Sequence, residues 1–421
     1  MLWYRILAGG ALIAYSPVAL LRALTGRRRP GDIRGRLGLR PWPDLAGGIW
    51  IHAVSVGEVG VASSLLPSLV RRAPGRRFGL STTTEAGSEL ARRLAPDGVA
   101  VFPFPFDLAA PVERALSEIR PGLVLLTETE LWPLFLARAA EREIPVALVN
   151  GRISERSFPR YRLLRRWFSR ALGNVALFVM QSADDARRIE ALGAPPSKIR
   201  VHGNVKYDLP PAPAFADADR LHDAAAGRPV VVAASTDEAE EESVVAAAKA
   251  IAADALVAIV PRRPERFDEV ARRAEAAGLR VLRRTGKDRG RADVYLLDTI
   301  GELRGLYAYA KLAFIGGSLV ARGGHNPIEA WASGVPVITG PHTENFREVF
   351  SKGEELGIAT RVADGRGLAD RMARELSAPD LAARGEAARA FVEASRGAAD
   401  ATAADVVALL DRATAEGGAA G

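Results

Sequence analysis

The chain has 421 residues, of which 48% are hydrophobic and 25% charged, so it is a globular protein too long for one ordinary core, and we expect two domains. Cysteine is absent, which excludes disulfides and thiolate metal sites, and none of the five histidines stands two or four residues from another, so we expect no metal site. The formal net charge is +7, but no zinc finger, RNP-type aromatic motif or basic repeat accompanies it, so nucleic acid is not an expected partner.

The first forty residues join an apolar run to a basic one. Residues 6–21 carry no charge, and residues 1–40 hold eight arginines against one acid, Asp32, a net charge equal to that of the whole chain. As a helix the uncharged run would be about 24 Å long, so it could span the ~30 Å hydrocarbon core marginally or lie in the interface. The basic cluster follows the run, which argues against a cleaved signal peptide and keeps the following domain cytoplasmic. We therefore predict a membrane-anchor helix with a basic juxtamembrane segment, in contact with anionic lipids.

Short apolar runs then alternate with amphipathic helical stretches. The first series of runs is typical of strands buried on both faces of a parallel sheet, and covers residues 49–54, 77–84, 99–107, 123–130 and 145–152. A proline-rich stretch at 209–219 interrupts the alternation and indicates a linker. A second series follows it at 228–236, 255–267, 279–284, 293–299, 311–320 and 335–341.

This alternation predicts an α/β protein with two doubly wound, Rossmann-like domains and a cleft between them. We place the first domain at 41–208, the linker at 209–221, the second domain at 222–395, and a C-terminal helix with a flexible tail at 396–421. Neither G-x-G-x-x-G followed by an acidic residue nor a Walker lysine is found, which argues against dehydrogenases and P-loop enzymes.

A single glutamate, Glu58, stands where the first buried strand ends and a helix begins. It closes the motif Ser55-Val56-Gly57-Glu58, in which Gly57 would permit close backbone approach. One interpretation is a helix-terminal carboxylate stabilised by the macrodipole. The other is a general base, because ligands of such folds bind at the carboxyl ends of the strands.

Two more glutamates close the run at 123–130, in the motif TETELWP. Glu128 and Glu130 are two residues apart, so in an extended backbone both side chains would face the same way. Carboxylates grouped with Glu58 would raise one pKa and favour acid–base chemistry, although one of them could instead cap the next helix. Lys206, in GNVKYD, could neutralise a carboxylate or phosphate there, or be an ordinary surface lysine.

The second domain carries several features suited to an anion. Pro261-Arg262 ends a strand with a guanidinium, which binds phosphate in a bidentate manner. We predict that a helix begins at Ile300-Gly301-Glu302, and that a second begins with Asn326 as the N-cap and Pro327 as its first residue. Glycines and such helix starts bring backbone amides towards phosphate, and Glu329, in the first turn of the second helix, could accept hydrogen bonds from ribose hydroxyls. The residues concerned are Ile300, Gly301, Glu302, Gly317, Ser318, His325, Asn326, Pro327 and Ile328.

Taken in order, these motifs resemble those of the 3-deoxy-D-manno-octulosonic acid (Kdo) transferases of lipopolysaccharide synthesis in Gram-negative bacteria. The motifs are HAVSVGEV, TETELWP, NGRISERS, GNVKYD, VPRRPERF, IGEL and GGSLVARGGHNPIEA…GPHTENF, and the similarity extends over about residues 1–350. The resemblance implies a GT-B glycosyltransferase with its acceptor domain first. It implies transfer of Kdo from CMP-Kdo to the 6′-hydroxyl of a tetra-acylated lipid A precursor, lipid IVA, with inversion, at the cytoplasmic face of the inner membrane.

The resemblance also assigns roles to residues. It implies that Glu58 is the base and that Glu128 and Lys206 support the transition state. The implied CMP contacts are Pro261, Arg262, Ile300, Gly301, Glu302, Asn326, Pro327, Ile328 and Glu329, and further candidates are Ser55, Gly57, Glu130, Gly317, Ser318 and His325. No metal and no cofactor are expected, since the leaving group CMP carries a single phosphate.

Two alternatives remain open from the residues. One is a UDP-sugar epimerase of the same GT-B architecture, which would use UDP and need no anchor. The other is a membrane-tethered sugar-nucleotide binding protein, which would need no carboxylates such as Glu58 and Glu128.

Overall fold

The computed structural model describes residues 32–129, 131–155 and 157–419, with the exception of the side chains of Trp167 and of residues 416–419. The chain divides into two compact units, Met1–Asp208 with Ser395–Gly421, and Leu209–Ala394. Residues 1–31 of the predicted anchor segment and the candidate Glu130 lie outside the described residues. Across the described ranges, every helix is too short or too polar to cross a membrane.

The first unit is built on a parallel sheet of seven strands, with helices in the connections. The strands are β1 (Ile49–Ala53), β2 (Phe78–Thr82), β3 (Ala100–Pro103), β4 (Leu123–Thr127), β5 (Val146–Gly151), β6 (Leu177–Met180) and β7 (Ile199–Val201). The helices are α1 (Ile33–Arg36), α2 (Val56–Arg72), α3 (Glu85–Leu94), α4 (Ala109–Ile119), α5 (Pro133–Glu141), α6 (Phe158–Leu163), α7 (Arg165–Gly173) and α8 (Ala183–Leu192). The long C-terminal helix, α17 (Ala398–Ala419), belongs to this unit.

The strand order of this sheet is β3-β2-β1-β4-β5-β6-β7. The order reverses between β1 and β4, and the carboxyl ends of these parallel neighbours lie at the same edge. Such a reversal point is where doubly wound folds bind ligands. It therefore brings together the residues that follow β1 and β4, Glu58 and Glu128.

The core of the first unit lies on both faces of the sheet. Every residue of β1 is buried, and Trp50 belongs to the apolar cluster on one face, while Ile49 and Ile51 belong to the cluster on the other. Alternation along a strand dictates this division. The structure thus confirms that the continuous apolar runs of the sequence form strands of a parallel sheet.

Residues 32–40, predicted as part of the basic juxtamembrane segment, pack on the first unit instead. Asp32 caps α1 by accepting a hydrogen bond from the Gly35 N–H at 2.9 Å, and it also forms an ion pair with Arg40 at 3.0 Å. Arg36 donates to the Phe104 carbonyl at 3.0 Å, and burial lowers its guanidinium pKa to about 10. Arg36 and Arg40 therefore make contacts within the first unit. A count of charges in the sequence does not distinguish such contacts from contact with a membrane.

The second unit has a parallel sheet of the same kind, in the order β10-β11-β9-β8-β12-β13-β14. Its strands are β8 (Val230–Thr236), β9 (Leu256–Pro261), β10 (Val281–Arg283), β11 (Val294–Leu296), β12 (Ala310–Ile315), β13 (Val337–Thr339) and β14 (Ala359–Arg361). Its helices are α9 (Ala218–Ala225), α10 (Glu241–Ala250), α11 (Phe267–Ala276), α12 (Leu303–Leu306), α13 (Ile328–Ala332), α14 (Arg347–Glu355), α15 (Leu368–Leu376) and α16 (Leu381–Ala394). The order reverses between β8 and β12.

The main segment of the first unit ends at Asp208, where the first domain was predicted to end, but the linker and the place of the C-terminal helix differ from the predictions. The predicted linker 209–221 contains the start of α9, because helix formation begins at Ala218. Helix α17 (Ala398–Ala419) shares an apolar cluster with α2 of the first unit, through residues such as Leu410 and Leu65. Asp208, the last residue before the crossing to the second unit, accepts hydrogen bonds from the N–H groups of Gly397 (2.6 Å) and Ala399 (2.7 Å), which caps α17.

Candidate active site

The Glu58 carboxylate lies in the first turn of α2 and folds back over the start of that helix. Its Oε2 accepts hydrogen bonds from the Val54 N–H and the Thr127 hydroxyl, both at 2.9 Å, and its Oε1 accepts one from the Ser55 hydroxyl at 3.0 Å. Ser55 occupies the N-cap, but its side chain caps no helix N–H and Glu58 accepts from the Val54 N–H, so the S-x-x-E sequence does not form a capping box. Glu58 is the acidic residue of the first helical turn. The structure thus agrees with the interpretation of Glu58 as a carboxylate at a helix N-terminus. This position does not exclude a second role as a general base.

The surroundings of Glu58 favour its protonated form. The side chain is only 7% exposed, and burial raises the pKa of its carboxyl. The Val54 N–H opposes this rise, the negative charge of Glu128 adds to it, and the Thr127 and Ser55 hydroxyls lower the pKa somewhat. A carboxyl whose pKa is raised at the ligand-binding edge of a doubly wound sheet has the properties of a general base.

Thr127 is a site residue that the sequence did not single out. Its hydroxyl oxygen lies 2.9 Å from Glu58 Oε2 and 2.9 Å from the His52 carbonyl oxygen, and the side chain is fully buried. Thr127 is the last residue of β4, next to β1. The sequence signal that could have identified Thr127 is its position at the end of the apolar strand β4. This strand pairs with β1, the strand that precedes Glu58.

His52 contributes its backbone carbonyl to this site rather than its ring. The imidazole is fully buried, stacks on Phe104 with the ring centroids 3.7 Å apart, and contacts Ser81 through Nδ1. Burial lowers the pKa of His52 to about 3, so the ring is neutral. This histidine belongs to the aromatic core of the unit.

Glu128 and Lys206 form an ion pair beside Glu58. Lys206 Nζ lies 2.7 Å from Glu128 Oε1, and the two side chains are 19% and 24% exposed. Lys206 belongs to a one-turn helix, Val205–Tyr207, whose first N–H groups are held by the side chains of Asn150 (to Val205, 3.0 Å) and Asn204 (to Lys206, 3.0 Å). Lys206 therefore neutralises a carboxylate, one of the two interpretations of this residue from the sequence, and Asn150 is a residue that the sequence analysis missed.

One expectation for this region is wrong. The backbone is not extended at Glu128, which has a φ of +56°, so the argument that Glu128 and Glu130 face the same way does not hold. Among the described residues a Cβ at Gly57 would meet only Ser55 Oγ, at 3.9 Å, so close approach of a ligand to this backbone stays a prediction.

In the second unit, a fully buried glutamate organises the loop after β12. Glu240 accepts hydrogen bonds from the N–H groups of Gly317 (2.6 Å), Leu319 (2.7 Å), Ser318 (2.8 Å) and Asp237 (3.0 Å). These bonds tie the loops after β8 and β12 together at the point where the strand order reverses. The sequence analysis did not find Glu240, because it lies in the acidic run DEAEEE, which is indistinguishable from a solvated helix start.

The loop after β12 holds its glycine and serine for structural reasons. A Cβ at Gly317 would lie 2.8 Å from His325 Nε2, so only glycine lets the His325 ring pack there. The Ser318 side chain is buried, donates to the Ile315 carbonyl and accepts from the Gly340 N–H at 2.9 Å. Ser318 therefore supports the loop through its side chain instead of presenting a hydroxyl to a ligand.

His325 and Arg262 lie close together at the same edge of the second sheet. Arg262 is exposed directly after β9, and its N–H donates to the Thr236 carbonyl at 3.0 Å. Burial, and then the positive charge of Arg262, lower the pKa of His325 to about 4, whereas Asp237 raises it. His325 is therefore neutral at pH 7, and the positive charge beside it belongs to Arg262.

The predicted start of the helix at Asn326-Pro327 needs a correction of one residue. Helix α13 begins at Ile328 with Pro327 at the N-cap, and Asn326 Oδ1 accepts the Ile328 N–H at 3.0 Å. Glu329 lies in the first turn, as expected. Burial raises the pKa of its carboxyl, and the positive charge of Arg304 lowers it.

The segment Ile300-Gly301-Glu302 precedes α12, in agreement with the predicted helix start. Glu302 is the N-cap residue, and its carboxylate binds the Arg284 guanidinium (3.1 Å) and the Thr299 hydroxyl. Ile300 is 56% exposed, whereas Pro261, at the end of β9, is buried. In the part of the chain that the structure describes, no group of three or more His, Asp or Glu residues could hold a metal ion.

Known proteins with this fold include both transferases and epimerases. The glycotransferase of kitacinnamycin is similar at 17% identity with a TM-score of 0.53, over 87% of this chain and 99% of that chain. The UDP-GlcNAc 2-epimerase from Neisseria meningitidis, bound to UDP-GlcNAc, is similar at 12% identity with a TM-score of 0.51, over 82% and 98%. These similarities support the predicted GT-B architecture and concern the fold alone.

The similarity in sequence is more specific. The family model described as 3-deoxy-D-manno-octulosonic-acid transferase (kdotransferase) matches residues 31–209. The 3-deoxy-D-manno-octulosonic acid transferase of Bordetella pertussis is 36% identical over 381 residues, which cover 86% of this chain and 88% of that protein. Identity of this extent shows that the chain belongs to the family of 3-deoxy-D-manno-octulosonic acid transferases.

Proposed function

We propose that the protein transfers Kdo from CMP-Kdo to the 6′-hydroxyl of the lipid A precursor lipid IVA, with inversion and with Glu58 as the general base. The observation that carries the proposal is the environment of Glu58 in a chain of this family. Its carboxyl is buried, has a raised pKa and lies beside the Glu128–Lys206 ion pair at the carboxyl edge of the first sheet.

The two carboxylate oxygens of Glu58 are assigned different tasks. Oε2 already accepts two hydrogen bonds, from the Val54 N–H and the Thr127 hydroxyl, whereas Oε1 accepts one, from Ser55. We therefore assign Oε1 to the acceptor proton. The acceptor O–H bond breaks to Oε1 as its oxygen bonds to the anomeric carbon of Kdo, and the bond from that carbon to CMP breaks with its electron pair leaving on the phosphate. This single displacement inverts the anomeric centre.

Glu128 and Lys206 tune the proton transfer. The charge of Glu128 raises the pKa of Glu58, which strengthens the base and favours its protonated form once the acceptor proton has arrived. The positive charge of Lys206, 2.7 Å from Glu128, limits the effect of the Glu128 charge on Glu58. One positioned base of this kind contributes about 10²–10⁴-fold to a rate.

The donor is assigned to the second unit. The exposed guanidinium of Arg262 would balance the single phosphate of CMP without a metal ion, and the neutral ring of His325 beside it can hydrogen-bond the ligand without adding charge. Backbone around Ile300–Glu302 and Asn326–Ile328 would contact the nucleotide, and the buried carboxyl of Glu329 would accept hydrogen bonds from the ribose. A lipid acceptor would require the protein to work at the cytoplasmic face of the inner membrane, and the proposed anchor is confined to residues 1–31, because residues 32–40 pack on the first unit.

The test is Kdo transfer in detergent micelles, with CMP-Kdo generated in situ, lipid IVA as acceptor and EDTA present throughout. We expect product from the wild type, and a loss of at least about 10²-fold with Glu58→Gln. Glu85→Gln is the matched control, since Glu85 lies in the first turn of the next helix, α3, but is exposed. It should retain full activity.

Each component of the proposal has its own contradicting result. Activity that survives Glu58→Gln would move the base elsewhere. Transfer that occurs in a parallel assay without EDTA, and is absent with EDTA, would contradict the metal-free reaction. A folded wild type that makes no product from any of several lipid A precursors would contradict the transferase itself. Turnover of a UDP-sugar in the same preparation would then favour the epimerase alternative.

A further inference from the structure

Two adjacent leucines are exposed at the corner between α6 and α7. Leu163 is 86% exposed and Leu164 is 58% exposed. Leu163 ends α6, and Leu164 is the single residue between the two helices. Exposed leucines are individually common, but an adjacent pair at a projecting corner is an apolar surface available to a partner.

This corner is a firm structure rather than a frayed chain end. Tyr161 of α6 packs on Phe168 of α7 with their ring centroids 4.9 Å apart, and both residues belong to, or pack against, the core cluster on one face of the first sheet. The aromatic residues therefore face inwards and hold the two helices together, while Leu163 and Leu164 are left on the outside.

The leucines are surrounded by exposed positive charge. The exposed arginines near them are Arg160, Arg162, Arg165, Arg166 and Arg170, and none of these forms an ion pair with a residue that the structure describes. The sequence contains no Asp or Glu from residue 156 to residue 183. Other arginines of the unit do have such partners, as Arg72 has Asp400. The local positive charge is therefore available to an external anion.

The position of two of these arginines adds to the argument. Arg165 and Arg166 occupy the first turn of α7, where the helix macrodipole disfavours cations. The acidic residues that would normally occupy such a turn are missing. An anionic surface opposite this turn would offset the unfavourable arrangement.

The corner follows a strand, β5, whose carboxyl end lies at the same edge of the sheet as the candidate site. The chain reaches α6 from the carboxyl end of β5, which pairs in parallel with β4, and β4 in turn pairs with β1. Glu58 and Glu128 follow β1 and β4 at this same edge. A surface docked at the corner would therefore lie on the side of the unit where the acceptor is proposed to bind.

We propose that the α6–α7 corner is a membrane-docking surface, in which Leu163 and Leu164 insert among the acyl chains of an anionic bilayer and the surrounding arginines contact lipid phosphates. Apolar residues bordered by arginines are the composition of interfacial membrane-binding elements. Basic side chains near an anionic leaflet each add attraction that weakens with salt. The docking goes beyond the proposed reaction and does not depend on it, because lipid contact can be measured without Kdo transfer.

The test uses the absence of cysteine from the chain. Leu163→Cys in the full-length protein is labelled with an environment-sensitive fluorophore and mixed with vesicles of phosphatidylglycerol and phosphatidylcholine. We expect a blue shift of the emission and quenching by brominated acyl chains. Leu94→Cys is the matched control, since Leu94 is 47% exposed and follows two arginines, but ends α3, which runs back from the carboxyl edge to the opposite edge of the sheet.

The results separate the possible occupants of the surface. A response at residue 163 without one at residue 94 supports docking by this corner, and equal responses, or none at residue 163, contradict it. A shift at residue 163 that grows with protein concentration in the absence of vesicles would assign the corner to a second copy of the chain and overturn the proposal.

A charge series tests the electrostatic part. In the labelled Leu163→Cys protein, the pair Arg165→Gln and Arg166→Gln should raise the vesicle concentration for half-maximal response several-fold, and the corresponding lysine pair should restore it. Vesicles of phosphatidylcholine alone, or high salt, should weaken the response of the unmodified corner. A response that is indifferent to charge, salt and lipid composition would contradict recognition of an anionic surface.

Discussion

The Thr127 hydroxyl oxygen lies 2.9 Å from Glu58 Oε2 and at the same distance from the His52 carbonyl oxygen, although a hydroxyl has one hydrogen to donate. When Glu58 is ionised, donation to the carboxylate is favoured, because hydrogen bonds to charged groups are the stronger ones. When Glu58 is protonated, the hydroxyl can rotate towards the carbonyl and lose little. Thr127 is therefore a positioning residue whose hydrogen bond responds to the protonation state of Glu58.

Thr127→Val is expected to slow transfer by about 10-fold, since it removes one hydrogen bond from a charged, buried group. This hydrogen bond lowers the pKa of Glu58, so its loss should move the acidic limb of the kcat/KM profile to higher pH. Thr127→Ser keeps the hydroxyl and should keep the wild-type limb. A valine variant whose limb coincides with that of wild type would show that Thr127 only packs.

Glu128 and Lys206 should shift the same limb in opposite directions. Glu128→Gln removes a negative charge that raises the pKa of Glu58, so the acidic limb should move to lower pH. Lys206→Met leaves the Glu128 charge without its partner at 2.7 Å, so the limb should move to higher pH. The measurement is kcat/KM for the lipid acceptor across the acidic range. Shifts of the same sign in both variants would contradict an electrostatic role for the pair.

The raised pKa of Glu58 also predicts how stability depends on pH. A carboxyl whose pKa is raised by folding binds its proton more tightly in the folded state, so its favourable contribution is complete below the unfolded pKa and is lost as the pH rises through the folded pKa. Glu58→Gln cannot ionise, so its free energy of unfolding relative to wild type should rise with pH across this range. Denaturant titrations at several pH values measure the difference, and a difference that falls or stays constant with pH would contradict the raised pKa.

Much of the fold could be predicted from the sequence because it depends on local patterns. Runs such as residues 49–54 are apolar apart from His52, and short runs of this kind are typical of a strand buried on both faces of a sheet. The start of α2 at Val56 follows from the small residues and the glutamate of its first turn. The position of α17 was not predictable, because its packing on α2 connects segments more than 300 residues apart.

The candidate site, like the fold, could be predicted from the sequence only in part. Glu58 and Glu128 were found because each follows an apolar strand, and the order of strands places β1 beside β4. Lys206 follows β7, an edge strand three positions from β4, so the strand order alone does not explain its contact with Glu128. The conformation of Glu128 was missed because a φ of +56° is imposed by surrounding structure and has no glycine to signal it. Glu240 was missed because its partners are backbone amides, and these leave no trace in side-chain identity.

Glu240→Gln is expected to destabilise the second unit by about 3 kcal/mol, because a buried carboxylate that accepts four backbone N–H groups would be replaced by an amide that turns an NH₂ towards two of them. The loop that contains Gly317 lies against His325, so KM for CMP-Kdo should rise as well. Glu238→Gln is the matched control, because this residue is in the same acidic run and is 61% exposed, so it should change stability by less than about 0.5 kcal/mol. Chemical denaturation of both variants, with donor titration at a temperature where each is folded, separates the two effects. A Glu240 variant as stable as wild type would mean that the loop has another support, whereas a destabilised variant with an unchanged KM would remove this loop from the donor site.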